Sequence, residues 1–387
     1  MTTITKALIA GLLVIALIGE RTAFAQWNSQ PVAVPIGEAL AALLQKGAAG
    51  YASTDRAWRY TFPRDYGVHP DHRTELWHFS GSVVSRQGRR FGFQVGFFRI
   101  GVIPPGAPAG PSAWATRNLY WAQFALDDAA SNRFHASERI ERAAMDLSGA
   151  SSSPPRVWVG NWVMEVDSAD APGAVLRLDA AIDEVRIALA LRSAKPPVAP
   201  AVGGGRSSGS GQPNPFHVYL MTRLVATGTV HIGTERFEVE GRAWLDRAWG
   251  LVPLPWGAVV WDRFLVQLDD GRELMALRLR RRDGGGNPVI TGMLVAHDGS
   301  SRMLDDGAVD IELLERDGTR FPSRWWLRVP GEGIELGLTA YVAERKTRLS
   351  MRSWAGAVDV GGTSNGRPIR GNGYVELAAN ATTAGGT

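Results

Sequence analysis

Apolar alternation with a period of two constrains this chain most. Phe91, Phe93, Val95 and Phe97 alternate with Gly92, Gln94 and Gly96, a spacing that puts the large side chains on one face of a strand and the small ones on the other. A similar stretch at 75–84 precedes it across a turn at Arg86-Gln87-Gly88-Arg89, so the two predict a hairpin. Strand patterns recur at 119–126, at 157–166 and, with a break, at 175–191. They return at 218–231, 237–245, 259–268, 273–281 and 289–297, where Gly233, Asp269-Asp270-Gly271 and Asp298-Gly299 supply turns. A short helix at 36–44 is the one helical candidate. Turn residues at such intervals predict an all-β chain of antiparallel meanders closing into barrels or sandwiches.

At 387 residues the chain exceeds one typical domain. Residues 194–215, AKPPVAPAVGGGRSSGSGQPNP, read as a linker. The expected organisation is a leader at 1–25, domains at 26–193 and 216–377 on either side of the linker, and a disordered tail at 378–387. Ser80-Gly81-Ser82-Val83 echoes Thr227-Gly228-Thr229-Val230, and Arg90-Phe91 echoes Arg236-Phe237, which fits two copies of one β unit. Lys6, an apolar run from Ala7 to Gly19 and Ala23-Phe24-Ala25 have the order of a cleavable secretory signal. That run is short for a membrane span, so the expectation is a periplasmic or secreted protein. With 42 basic against 38 acidic residues the charge is close to balance, and no nucleic-acid partner is inferred. The absence of cysteine excludes disulfides and thiolate metal sites.

The most chemically suggestive stretch is 241–263, where Trp244, Trp249, Trp256 and Trp261 accompany Asp246, Asp262, Arg247 and Arg263. On a strand, Trp244 and Asp246 share one face while Leu245 and Arg247 take the other. Two readings stay open. Asp246 is either an acid whose pKa is raised by an apolar pocket, or a carboxylate paired with a nearby arginine. His217 shares a face with Tyr219 and Met221, and is either part of a shared site with Trp244 and Asp246 or a solvent-facing residue at a strand start. His69, His72, Glu75 and His78 contain zinc-ligand types, but Glu75 and Trp77 face one way and His78 the other. The favoured reading is a polar loop followed by a strand whose Glu75 bonds an arginine. Arg278 and Arg280 alternate with Leu277 and Leu279, which predicts a solvated strand face. No phosphate loop and no nucleophile elbow is present, so neither a cofactor nor a serine-hydrolase mechanism is implied.

Taken together, Phe62-Pro63-Arg64-Asp65, ELWHFSG (75–81), GFQVGFFR (92–99), YLMTRL (219–224), AWLDRAWG (243–250), WDRFLVQLDDGRELMALRLR (261–280) and GNGYVEL (371–377) resemble the AttH-like family. That family is related to the carotenoid 1,2-hydratases (hydroxyneurosporene synthases) and is often labelled predicted secreted hydrolases. The resemblance implies two tandem lipocalin-like β-barrels. It also implies protonation of an isolated C=C bond by Asp246, with His217 positioning water or tuning the acid, Trp244 and Tyr219 facing the cation, and Trp249, Trp261 and Asp262 contacting ligand. The ligand so implied is an apolar isoprenoid or lipid; the rival is a non-catalytic lipid carrier or an accessory protein of an exporter. The chain departs from the family pattern in reading Glu75-Leu76-Trp77-His78 for Glu-Trp-Trp-Tyr, Asp246-Arg247-Ala248-Trp249 for Asp-Arg-Glu-Trp, and Trp261-Asp262-Arg263-Phe264 for Trp-Asp-Trp-Phe.

Overall fold

The computed structural model describes residues 48–378 except 109, 113–114, 169–172, 201–215, 251–258, 282, 284, 306, 316–321 and 343–352. The expected leader, the helix at 36–44, most of the linker, Trp256 and nearly all of the tail lie outside the described residues.

The described chain is almost entirely antiparallel β. Eleven strands form the first sheet: β1 (Thr74–Ser85), β2 (Arg90–Gly101), β3 (Asn118–Asp128), β4 (Arg133–Arg142), β5 (Ser148–Ser152), β6 (Pro155–Val159), β7 (Trp162–Ser168), β8 (Val175–Ile182), β9 (Val185–Ser193), β10 (Phe216–Ile232) and β11 (Glu235–Gly250). Nine form the second: β12 (Val259–Leu268), β13 (Glu273–Arg281), β14 (Val289–Val295), β15 (Ser301–Leu304), β16 (Asp310–Glu315), β17 (Arg324–Val329), β18 (Ile334–Ala340), β19 (Ser353–Ser364) and β20 (Arg367–Ala378). The first runs β4-β3-β2-β1-β11-β10-β9-β8-β7-β6-β5 and the second β15-β14-β13-β12-β20-β19-β18-β17-β16. These are two lipocalin-like barrels, the first nearly closed and the second a half-barrel.

The predicted hairpin at 75–100 is β1–β2, with Phe91, Phe93, Val95 and Phe97 on the inner face. The single strand expected at 157–166 is instead two, because Gly160 turns the chain at φ 58° between β6 and β7. The sheets also divide the chain differently from the expected linker. β10 and β11, assigned to the second domain from sequence, complete the first sheet because β11 pairs with β1 along its length. The change of sheet therefore falls between β11 and β12. The described start of the supposed linker is packed: Ala194 N donates to Arg223 O, Val198 and Leu220 exchange backbone bonds, and Lys195 is buried. The echoing segments lie on one sheet, where Phe91 and Phe237 stand 5.4 Å apart under the Arg89 guanidinium.

Three apolar clusters follow from strand alternation. One fills the first barrel, including Trp77, Phe79, Trp162, Tyr219 and Trp249. A second fills the inner face of the second sheet around Phe264, Trp325 and Trp354. The third lies between the sheets and joins Leu220 and Trp244 to Leu265, Met293, Ala357 and Tyr374. Polar ties cross the same interface. Glu273 on β13 accepts from Lys195 Nζ at 2.8 Å and from Arg223, and Arg90 pairs with Asp359.

Candidate functional site

Alternation along β11 sorts the predicted residues into two groups. Leu245, Arg247 and Trp249 face the first barrel's interior, while Trp244 and Asp246 face the second sheet. β10 lies beside it with His217 opposite Trp249 and Tyr219 opposite Arg247. His217 and Tyr219 therefore belong with Arg247 and Trp249, and the expected meeting of His217, Tyr219, Trp244 and Asp246 does not occur. Adjacent strands in register share a face, and that register came from a pairing the local pattern does not specify.

The interior group centres on Glu75, which is fully buried. Its carboxylate accepts from Arg247 Nη2, from Arg99 Nε at 2.9 Å and from the His69 backbone N–H at 2.8 Å, and contacts His69 Nδ1 at 2.7 Å. Burial pushes this carboxyl up, but Arg247, Arg99 and His69 outweigh it and hold it well below the usual carboxylate range. Asp65 behaves alike: burial raises it, and His69, Arg64, the Thr61 N–H and the Trp58 indole bring it down. The His69 ring stacks on Trp249 at 3.8 Å, and the Arg247 guanidinium lies 3.9 Å from the Trp77 ring. His217 packs at 5.0 Å from Trp58 and 5.5 Å from His72. It is buried rather than solvent-facing, and burial lowers its pKa. Burial, with His217 and His69 nearby, brings His72 down to about 4. Tyr219 donates to Asp65 O at 3.1 Å, and burial raises its hydroxyl well above the ordinary tyrosine value. Glu75 thus bonds arginines as the sequence suggested. Among the described residues no group of three or more metal-ligating side chains converges.

The interface group centres on His78, which β1 places opposite Asp246. His78 Nδ1 lies 3.2 Å from Asp246 Oδ2, and Nε2 lies 3.3 Å from Glu376 Oε1 and 2.6 Å from Gln94 Nε2. Arg263 donates to both carboxylates, at 2.5 Å to Asp246 and 3.1 Å to Glu376. Tyr374 donates to Gln94 Oε1 at 3.4 Å. Burial raises the Asp246 carboxyl, but Arg263 and His78 overcome that and hold it below the ordinary aspartate value. Of the two readings of Asp246, the paired carboxylate is the one found. Its arginine is Arg263 on β12, because the neighbouring Arg247 points into the barrel. Asp246 is therefore an anion at neutral pH rather than a proton donor.

Trp261 and Asp262 separate as well. Trp261 is half-buried beside Arg263, whose guanidinium lies 5.6 Å from its ring, whereas Asp262 turns to the opposite face and binds Arg278 and Arg280. Those arginines, expected on a solvated face, instead satisfy a buried carboxylate, since β12–β13 register places Asp262 opposite Arg278. The residues that sequence reasoning left out are His78 as a partner of Asp246, and Gln94, Glu376 and Tyr374. Alternation did put His78 on the face opposite Glu75; what it lacked was the partner strand.

The departures from the family pattern fall on this same interface. Leu76 and His78 sit opposite Ala248 and Asp246, and Arg263 reaches Asp246 from the second sheet. The shared residues Glu75, Trp77, Arg247 and Trp249 face the interior.

The AttH-like family model matches residues 53–380. No curated protein matches the sequence. Among solved structures, an AttH protein from Nitrosomonas europaea is 26% identical, with a TM-score of 0.70 over 85% of this chain and 100% of that one. Kievitone hydratase from Nectria haematococca is 14% identical, with a TM-score of 0.58 over 85% and 95% of the two chains. CghA with Sch210972 is 16% identical, with a TM-score of 0.51 over 86% and 97%. The latter two share the fold, and the family match spans nearly the whole described region: this chain belongs to the AttH-like family.

Proposed function

We propose that this protein is a hydratase-type enzyme that adds water to a C=C bond of an apolar, isoprenoid or lipid-like molecule at the face between its barrels. The observation that carries the reading is the His78 imidazole set between Asp246 and Glu376, with Arg263 tied to both carboxylates. A kievitone hydratase of the same fold gives the reaction class support. Trp244, Leu265, Met293 and Tyr374 form the apolar cluster of the same interface that holds His78, so the ligand is placed there.

In this mechanism His78 delivers a proton to one alkene carbon. Water bonds to the other carbon and returns a proton to His78, so that alkene and water give an alcohol and the imidazole is regenerated. Asp246 and Glu376 orient the ring, and Asp246, held below the ordinary aspartate value by Arg263 and His78, stays ionised. The aromatic faces of Trp244 and Tyr374 stand beside the developing cation, an interaction worth ~1–2 kcal/mol when desolvated. Export, read from the N-terminal segment, belongs to the same proposal.

The test is mass spectrometry after incubating the protein with acyclic isoprenoid alkenes in oxygen-18 water. Labelled hydroxyl should appear with the unmutated chain and fall at least a hundredfold in His78→Gln. Ligand recovered unchanged with both proteins would show a carrier instead.

A further inference from the structure

Four buried polar atoms around His78 have no hydrogen-bond partner among the described residues: Ser80 Oγ, Trp244 Nε1, Asp246 Oδ1 and Arg263 Nε. Ser80, Trp244 and Asp246 are 0%, 2% and 4% exposed, and the Arg263 side chain 12%. The ladder sets three of them in two adjacent rows of one face. Gln94, Ser80 and Trp244 stand side by side in one row, and His78 and Asp246 in the next, about 7 Å along the strands. Arg263 closes over the second row from β12.

The types of these atoms specify a ligand. An indole N–H and a guanidinium Nε–H can only donate, a carboxylate oxygen can only accept, and a serine hydroxyl does either. These atoms are already shut off from bulk water, and a hydrocarbon lying on this face would leave two donors and one acceptor unsatisfied, at a cost comparable to losing each hydrogen bond. A ligand oxygen offers lone pairs to the donors, and a hydroxyl also offers a hydrogen to Asp246 Oδ1.

We propose that the ligand of this face is an oxygenated apolar molecule, an unsaturated alcohol or carbonyl compound, whose oxygen is held by the group formed by Ser80, Trp244, Asp246 and Arg263. The inference rests on the proposed function for the location of the ligand and on the unpartnered atoms for its chemistry. It narrows the substrate class from apolar isoprenoid or lipid-like alkenes in general to those that bear an oxygen.

Isothermal titration calorimetry of the full chain with three ten-carbon probes tests it: myrcene (a hydrocarbon), geraniol (an alcohol) and geranial (an unsaturated aldehyde). Geraniol and geranial should bind at least tenfold tighter than myrcene, about the 1.4 kcal/mol of a single hydrogen bond. Ser80→Ala and Trp244→Phe should each bring that ratio towards one, with circular dichroism confirming that both variants are folded. Equal affinity for the three probes, as expected if bound water alone satisfies these atoms, would overturn the proposal. So would a preference that both substitutions leave intact, or no saturable binding by any probe. Oxygen-selective binding without label incorporation would defeat the hydratase reading and leave this one standing.

Discussion

Replacing Glu75 with Gln keeps the side chain's size and removes one charge from a site with no access to water. Glu75 is 0% exposed, and the two arginines it holds, Arg99 and Arg247, are 1% and 0% exposed. In the variant both guanidiniums would face a neutral amide, one end of which presents N–H groups to donors that have no need of them. Removing one partner from a buried pair costs about 3–5 kcal/mol, chiefly through the charge left behind. The amide's size and remaining oxygen soften this little, because three donor groups converge on the carboxylate. With a urea m-value of about 3 kcal/mol/M, the top of the small-protein range, the unfolding midpoint should fall by roughly 1–1.7 M at pH 7. Tryptophan fluorescence and near-ultraviolet circular dichroism would both read it, since Trp77 and Trp249 lie against Arg247.

The pH dependence gives the same prediction a second readout. The folded-state pKa of Glu75 is depressed from its ordinary 4.5, so its stabilisation is complete above that value and is lost as pH falls below it. The gap between the unmutated chain and Glu75→Gln should be full at pH 7 and shrink as the pH drops under 4.5. A gap under about 1 kcal/mol at pH 7, or one that persists unchanged in acid, would show that the network does not carry the stability assigned to it.

Three further outcomes can be checked by the same unfolding experiments. His72 lies at about 4 against an ordinary 6.5, so the unfolded chain protonates first; stability should decline as pH falls from 6.5 towards 4 by up to about 3 kcal/mol, and His72→Phe should flatten that decline. Gly241→Ala should cost about 1–3 kcal/mol, since the added Cβ would sit 2.1 Å from Ser82 O and 2.7 Å from Val83 Cα, both backbone atoms across the β1–β11 pairing; a neutral result would mean that the two strands can separate without loss. Glu273→Gln strands Lys195 and Arg223 between the sheets and should cost about 3–5 kcal/mol, with faster amide exchange along β13 as the local sign.

Much of the fold was legible because its signals are local. Alternation at Phe91–Phe97 and turn residues such as Gly233 and Gly271 fix strands and hairpins without reference to the rest of the chain. The same alternation correctly set Trp244 and Asp246 against Leu245 and Arg247, and His78 against Glu75 and Trp77. What it could not supply was which strand lies beside which. His78 and Asp246 are 168 residues apart in sequence and touch only because β1 pairs with β11. The grouping of His217 and Tyr219 with Asp246 failed on register: β10 and β11 do pair, but Leu220 stands opposite Asp246 while Tyr219 stands opposite Arg247. Composition was the only signal for the linker at 194–215, and it does not announce the long-range contacts that Lys195 and Val198 make at its described start.

Strand β11 explains why a stable scaffold and a candidate site occupy the same residues without conflict. Every second side chain anchors it to the first barrel: Leu245 in the core, Arg247 on Glu75 and the Gly67 carbonyl, and Trp249 under His69. The intervening Trp244 and Asp246 are thereby held with little freedom, which suits a site that must keep an imidazole between two carboxylates. The remaining members, Arg263, Glu376 and Tyr374, come from β12 and β20 of the other sheet. The site is complete only while the sheets are packed, so the ties of Glu273 to Lys195 and Arg223 and of Arg90 to Asp359 are positioning contacts as well as stabilising ones. Weakening them should therefore disturb the His78 geometry before it disturbs either barrel.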